Sequence, residues 1–117
     1  MPRITIKVTL TTPEKTIKDT YNAIFHPEEN SIVYKDQDNT TTKINLNEKK
    51  IRRENEELFM EYLFDENKKT KGIVTVKTLK KTLELSLNTK KINQENQNIE
   101  INYILENDEY KYKLEVI

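Results

Sequence analysis

The chain has 117 residues, of which 34% are hydrophobic and 34% are charged, with 20 basic and 20 acidic side chains. This length fits one domain spanning residues 1–117, and the balanced charge excludes a general attraction to phosphate polymers or anionic lipid. The absence of cysteine excludes disulfides and thiolate metal sites. There is no apolar signal core at the N-terminus and no apolar run of the roughly 20 residues that a membrane helix needs. We therefore expect a cytoplasmic protein without a membrane partner.

Short runs of alternating apolar and polar residues recur along the chain, separated by turns rich in Asn and Asp. Such alternation places every second side chain on one face of a β-strand. The first part of the chain is predicted to form strands over residues 3–10, 17–25, 31–35 and 40–46. The connectors between them contain Pro, Asp or Asn, which interrupt strands or favour turns.

The segment 49–64 has two interpretations. Several of its apolar side chains recur at helical spacing, and its Glu, Lys, Arg and Leu residues are good helix formers. These apolar residues are Ile51, Leu58, Phe59, Tyr62 and Leu63. The alternative is a hairpin of two strands, over 49–53 and 58–64, joined by a turn at 54–56. The local sequence does not choose between helix and hairpin.

The last part of the chain is predicted to form four further strands, over 72–78, 82–87, 99–105 and 110–116. Leu83, Leu85 and Leu87 are expected to face the interior. The polar segment 90–98 is predicted to be the longest loop. The final two strands show the strictest alternation and flank an Asn107-Asp108 turn.

Together these elements form a series of short strands that are neighbours in sequence and are linked by brief turns. An open antiparallel sheet of this size would expose two edges. Closure into an up-and-down barrel of about eight to ten strands removes the edges and encloses either side chains or one small ligand. The sequence therefore predicts an all-β fold, an antiparallel up-and-down barrel.

Several segments of the sequence also resemble a known protein family. They are Tyr34–Asp36, Thr40–Ile44, Ile51–Arg53, Val76–Thr78, Leu83–Leu85 before Thr89, and Ile99–Leu105. These stretches resemble the uncharacterised bacterial YwiB-like proteins, which are calycin-type (lipocalin-like) β-barrels. The resemblance implies a calycin-like barrel from a bacterium, and it implies that segment 49–64 is a hairpin.

The chain departs from the family at a few positions. The family has a glycine two residues after its arginine, where this chain has Asn55. Asn tolerates positive φ better than most residues, so we expect Asn55 to preserve a turn there. The family's Tyr-x-Thr aromatic is Val76 here, and a later family glycine is Lys81. A site that used this aromatic would be altered or absent.

Arg53 is the residue that we single out as a candidate for binding. If Ile51 faces inward, the period of two directs Arg53 inward as well, and a buried guanidinium needs a partner. Calycin-type barrels that bind fatty acids often hold the carboxylate with interior Arg and Tyr. The resemblance therefore implies a small, partly apolar or anionic ligand at Arg53, with Tyr34, Tyr62 or Tyr103 as partners. Alternatively, Arg53 pairs with a Glu or caps a hairpin near a barrel end, or it is exposed.

No arrangement of residues in the sequence points to catalysis. His26 is the single histidine, and no cysteine is present to complete a typical transition-metal site. Glu28 and Glu29 are adjacent, so on an extended chain they point to opposite faces and do not form an acid/base pair. A chain with one glycine has no glycine-rich phosphate loop. We expect a protein that is not an enzyme and has no cofactor and no metal.

A basic cluster at residues 49–53 provides the alternative function. It could contact phosphate, but Glu54, Glu56 and Glu57 follow directly and reduce the local positive field. The alternative is a protein- or RNA-interaction module that uses the barrel exterior or rim. Nucleic acid is the less expected partner because of the charge balance. The sequence does not determine the oligomeric state.

Overall fold

The computed structural model describes residues 2–36 and 38–117 and contains ten β-strands within them. They are β1 (Arg3–Thr11), β2 (Thr16–His26), β3 (Ser31–Lys35), β4 (Thr41–Asn45), β5 (Lys50–Glu54), β6 (Leu58–Leu63), β7 (Thr70–Val76), β8 (Lys81–Glu95), β9 (Asn98–Leu105) and β10 (Asp108–Val116). No helix is present in the described part of the chain, so none there could span a membrane.

The strands form one closed antiparallel barrel in which each strand pairs with its neighbours in sequence. The barrel closes where β10 pairs with β1, in a register that runs from Ile6↔Val116 to Thr11↔Lys111. This confirms the all-β up-and-down barrel that the alternation predicted. Since adjacent strands run in opposite directions, the chain termini lie at one end of the barrel. The connections 12–15, 36–40, 55–57, 77–80 and 106–107 lie at the other end, which we call the open end.

The segment 49–64 is a hairpin in this structure. β5 and β6 pair with Ile51 opposite Tyr62 and Arg53 opposite Met60. β5 also pairs with β4, and β6 with β7, so both outer edges of the hairpin are hydrogen-bonded. Backbone pairing on both sides outweighs the helix propensity of the individual residues. The helical interpretation is therefore wrong.

The predicted loop over 90–98 is also wrong, because most of it belongs to a strand. β8 continues to Glu95, which pairs with Asn98 across a two-residue turn. A register shift between Thr89 and Lys91 marks a β-bulge on the way. The segment is polar because it forms an outer barrel wall, with Ile92 packing against the core. Leu83, at the start of the same strand, is 55% exposed, so its predicted inward position was wrong too.

The turns follow the Asn pattern only in part. Asn30, Asn39 and Asn96 have positive φ, but so do three residues that the pattern did not indicate, Lys49, Lys80 and Glu106. Asn55 does not have positive φ. Its side-chain Oδ1 instead accepts hydrogen bonds from the backbone amides of Glu57 and Leu58, at 2.8 and 2.9 Å. Asn55 thus makes the turn with its side chain rather than with left-handed backbone.

Gly72 has a packing role inside β7. It pairs with Tyr62 on β6, and a Cβ at this position would lie 2.7 Å from Cδ1 of the Tyr62 ring. Because glycine has no side chain, the ring can lie flat against the neighbouring backbone. The single glycine of the chain therefore fixes the position of one aromatic side chain.

The two halves of the interior differ in composition. Aliphatic side chains that are at most 1% exposed fill the half nearer the chain termini. They are Ile6, Ile32, Ile44, Leu46, Leu87, Ile99, Ile101 and Leu114. The half nearer the open end is not filled, and tyrosine is the most frequent residue in its lining.

Candidate ligand-binding pocket

The open end of the barrel leads into an internal pocket with a volume of about 550 Å³. All six tyrosines of the chain line it. They are Tyr21 on β2, Tyr34 on β3, Tyr62 on β6, Tyr103 on β9, and Tyr110 and Tyr112 on β10. Each occupies an inward position of its strand, where the ring packs in the wall and the hydroxyl remains available for hydrogen bonding.

The tyrosine rings are packed against one another. The Tyr21 and Tyr34 rings are stacked with centroids 5.0 Å apart, and the Tyr103 and Tyr110 rings are stacked at 5.5 Å. Tyr62 lies 6.4 Å from Tyr103 in a tilted arrangement. These are the separations at which aromatic pairs attract one another. Mutual packing therefore holds the rings in place around the pocket.

Two of the hydroxyl groups bond to each other inside the barrel. The Oη atoms of Tyr34 and Tyr112 are 2.8 Å apart, and both side chains are buried. Burial raises the pKa of the Tyr34 phenol and raises that of Tyr112 well above its usual range. Burial likewise raises the pKa values of Tyr62 and Tyr103. These four phenols are therefore neutral at physiological pH.

Tyr21 stands beside a carboxylate. Its hydroxyl donates a hydrogen bond to Oδ2 of Asp19 at 3.3 Å. Burial, followed by the negative charge of Asp19, raises the pKa of Tyr21 to about 12. This phenol is also neutral at physiological pH, and Asp19 acts as its hydrogen-bond acceptor.

Arg53 lines the pocket, on the same side of β5 as Ile51. Its Nη2 donates to Oδ2 of Asp36 at 2.9 Å, and the arginine side chain is 40% exposed while that of Asp36 is 12% exposed. Oδ1 of Asp36 accepts hydrogen bonds from the backbone amides of Asp38 and Thr40, at 3.0 and 3.1 Å. The guanidinium is thus tied to the β3–β4 connection by an Asp rather than by the Glu that the sequence suggested.

Two further carboxylates belong to the pocket. Asp19 and Asp38 line it, and neither forms an ion pair with another described residue. Asp19, Asp36 and Asp38 contribute three negative charges and Arg53 one positive charge, which leaves a formal charge of −2 on the lining. The pocket is therefore aromatic and acidic.

One side of the pocket is bounded by a short β-ladder. β2 pairs with β3 only from Ala23 to His26, so residues 16–22 have a ladder partner on the β1 side alone within the described ranges. Ile17, Asp19 and Tyr21 from this part of β2 line the pocket, together with Asp36 and Asp38 between β3 and β4. The mouth of the pocket therefore lies between the β1–β2 hairpin and the β3–β4 connection.

All the residues that the sequence suggested for a binding site lie in this pocket: Arg53, Tyr34, Tyr62 and Tyr103. Sequence reasoning missed the other three tyrosines and the three aspartates. The alternation of Tyr110 and Tyr112 with polar neighbours could have identified both as inward residues. Asp36 could not be identified, because in the sequence it is indistinguishable from an ordinary turn residue.

The other singled-out residues lie away from the pocket. His26 ends β2 at the barrel end that carries the chain termini, and Glu28 and Glu29 follow it in the next turn. Among the described residues, no group of three His, Cys, Asp or Glu side chains is arranged to hold a metal ion.

The basic cluster at 49–53 is largely neutralised by its neighbours. Lys50 approaches Glu48 at 3.5 Å and Glu61 at 4.0 Å, and Arg52 lies 3.3 Å from Glu61. Lys49 bonds to the backbone carbonyl of Leu46 at 2.6 Å and to the Gln94 side chain. Three of the four basic side chains of the cluster therefore lie beside carboxylates, which reduces the positive charge offered to a phosphate backbone, while Lys49 bonds to neutral groups.

The fold and the pocket define a class of protein: a small ten-stranded up-and-down β-barrel with an interior that is open at one end. The crystal structure of the ywiB protein from Bacillus subtilis is similar to this one, with a TM-score of 0.69. The alignment covers 96% of this chain and 87% of that chain at 14% identity, and it shows a shared fold. The resemblance to YwiB-like barrels is thereby confirmed at the level of the fold. No protein-family model and no curated protein matches the sequence.

Proposed function

We propose that this protein is a non-enzymatic binding protein that holds one small, partly apolar molecule in the tyrosine-lined pocket. The pocket itself carries the proposal. Its volume of about 550 Å³ falls within the range of roughly 300–1,000 Å³ that is typical of ligand sites. Its wall combines aromatic and aliphatic surface with a small number of polar groups, which is also typical of such sites.

The state of the polar groups supports binding rather than catalysis. The phenols whose pKa values are raised are poor general bases at neutral pH. Arg53 and Asp36 are engaged with each other. We therefore propose a small molecule as the partner, with no chemical step, no cofactor, and no membrane or nucleic-acid partner. A calycin-type classification, a bacterial source and a cytoplasmic location belong to the same proposal, and they rest on the sequence resemblance and composition.

The alternative function, a rim module for protein or RNA, has less support. Its motivation was the basic cluster at 49–53, in which Lys50, Arg52 and Arg53 lie beside carboxylates. The polar segment 90–98, expected as a free loop, is mostly part of the barrel wall. The pocket therefore remains the better-supported site.

The test uses N-phenyl-1-naphthylamine, an uncharged, partly apolar probe whose fluorescence rises in apolar surroundings. We expect saturable binding to the wild-type barrel. Met60→Trp, which fills the pocket from β6, should abolish binding. Ile73→Trp adds the same ring at an exposed position of β7 and should leave binding unchanged.

Circular dichroism would first establish that both variants keep the β-sheet spectrum of the wild-type protein. Binding that is absent in the wild-type protein, or equal in the two folded variants, would contradict the proposal. Native mass spectrometry of protein purified from its own host supplies a second readout, since a co-purified small molecule would identify the ligand.

A further inference from the structure

The charge on the pocket wall carries more information about the ligand than the pocket volume does. Four charged side chains line the pocket, of which three are Asp and one is Arg53. A ligand that enters meets the charges of Asp19 and Asp36 in half-buried surroundings, where electrostatic interactions are stronger than in water, and that of Asp38 at the exposed mouth. A wall with a formal charge of −2 therefore favours a cation and disfavours an anion.

The hydrogen bonds strengthen this asymmetry. Arg53, the only basic side chain among the described residues that line the pocket, already donates to Asp36 at 2.9 Å. An anionic ligand would have to share the guanidinium with that carboxylate. Asp19 and Asp38, in contrast, form no ion pair with any described residue, so their charge remains available at the mouth.

The tyrosines provide a second, independent reason. The face of a neutral aromatic ring is electron-rich and attracts a cation positioned within about 6 Å of its centre. Six such rings line the pocket, in an arrangement held by two stacked pairs. Cages of aromatic rings are the usual means by which proteins bind quaternary ammonium groups.

We propose that the pocket binds an organic cation, an alkylated ammonium group attached to an apolar body. The ammonium head would lie against the tyrosine faces near Asp19 and Asp38. The apolar body would contact aliphatic lining residues such as Leu10 and Leu105. This inference rests on the proposed function and narrows it, and it reverses the anionic preference expected from Arg53 in the sequence.

The experiment compares three ligands that share one octyl chain and differ only in the head group: octyltrimethylammonium, octan-1-ol and octanoate. Each is titrated into the full-length protein below its micelle concentration, by calorimetry and by displacement of N-phenyl-1-naphthylamine. We expect the cation to bind about tenfold more tightly than the alcohol, since one cation–π contact contributes roughly 0.5–2 kcal/mol. Octanoate should bind more weakly than the alcohol.

The variant Asp19→Asn/Asp38→Asn keeps side-chain size and keeps an oxygen to accept the Tyr21 hydrogen bond. It should weaken octyltrimethylammonium binding by about tenfold and leave octan-1-ol binding unchanged. The matched control, Glu28→Gln/Glu66→Gln, removes two carboxylates from turns at the opposite end of the barrel and should leave both affinities unchanged.

The outcomes separate the two proposals. Octanoate or octan-1-ol binding as tightly as octyltrimethylammonium would overturn the cation inference and leave the binding function standing. An equal loss of cation affinity in the test and control variants would also overturn it. Both variants remove two negative charges, so an equal loss would depend on the net charge of the protein and not on the position of Asp19 and Asp38. If none of the octyl ligands and no N-phenyl-1-naphthylamine binds, the proposed function itself fails.

Discussion

The hydroxyl groups of Tyr34 and Tyr112 lie 2.8 Å apart and connect β3 to β10 through the interior of the barrel. In the sheet these strands are separated by β1 and β2. The bond therefore joins two parts of the wall that the backbone ladder does not join directly. The bond also occupies the hydroxyl of Tyr112, a buried residue that is only 8% exposed.

Removing one of these hydroxyls should be more harmful than its hydrogen bond alone suggests. We expect Tyr34→Phe or Tyr112→Phe to lower the free energy of unfolding by about 1–3 kcal/mol, because each leaves the other hydroxyl without its tyrosine partner. The double variant should cost clearly less than the sum of the two single variants. Urea unfolding of all four proteins measures this coupling. Additive costs would show that the two hydroxyls do not depend on each other.

Gly72→Ala should disturb the pocket, because the added methyl group would point at Tyr62 and Leu105, which both line it. The added methyl group would lie 2.7 and 2.8 Å from two carbon atoms of the Tyr62 ring, closer than packed atoms tolerate. The ring must then move, and we expect a loss of about 1–3 kcal/mol in the free energy of unfolding. Thermal and urea unfolding would measure this loss.

The Tyr62 ring provides the control for this prediction. In a Tyr62→Val background the clashing ring atoms are absent, so Gly72→Ala should cost little or even stabilise the protein through the lower entropy of the unfolded chain. The same loss in both backgrounds would mean that the clash with Tyr62 is not its cause.

Alkaline pH should weaken the fold through the tyrosines. Burial raises the pKa of Tyr21 from 10.0 to about 12 and also raises the pKa values of Tyr34, Tyr62, Tyr103 and Tyr112. As pH rises past about 10, the unfolded chain loses these protons first, so the contribution of these tyrosines to the free energy of unfolding is constant below that pH and falls above it.

Ultraviolet absorbance of the phenolate ion checks this prediction. In the native protein, phenolate formation should lag behind that of the same protein in guanidinium chloride, and it should be completed only as the barrel unfolds. Tyr112→Phe should reduce the delayed part of the signal. Identical titration curves for native and denatured protein would contradict the assignment of these phenols to the protected interior.

Lys80 occupies a backbone conformation that suits glycine better. Its φ is 50°, in the left-handed region that disfavours residues with a Cβ by about 1–2 kcal/mol. We expect Lys80→Gly to stabilise the protein by about 0.5–1 kcal/mol, after the larger entropy of unfolded glycine is subtracted. Asn39→Gly, at φ 63°, is the matched control and should change stability much less, because Asn already tolerates this region. Equal effects at both positions would argue against backbone strain at Lys80.

The fold could be predicted because most inward positions carry apolar or aromatic residues at a period of two. Alternation fails in the second half of β8, where Ile92 is the only aliphatic residue among polar neighbours. That strand is specified by its backbone ladder with β9, from Lys91↔Asn102 to Glu95↔Asn98, and backbone pairing with a neighbouring strand leaves no pattern in the strand's own residues. For the same reason, segment 49–64 could not be identified as a hairpin from its own residues.

The candidate site was predictable only in part. Alternation around Ile51 directed Arg53 inward, and the structure places it in the pocket. Which tyrosines meet there depends on the stagger between strands, which a single strand's sequence does not determine. Asp36 serves both the β3–β4 turn and the ion pair with Arg53, and only the turn is visible in the sequence.

The short ladder between β2 and β3 leaves one line at the open end where side chains, such as the stacked rings of Tyr21 and Tyr34, hold the wall together without backbone pairing. Along residues 16–22, β2 is hydrogen-bonded to β1 alone within the described ranges, so moving the β1–β2 hairpin outward there breaks no rung of the ladder. In the described part of the chain, residues 81–85 of β8 likewise have a ladder partner on one side alone, that of β7, but none of them lines the pocket. A ligand larger than the pocket could therefore separate β2 from β3 along this line. The pocket volume in this structure need not limit the size of the ligand.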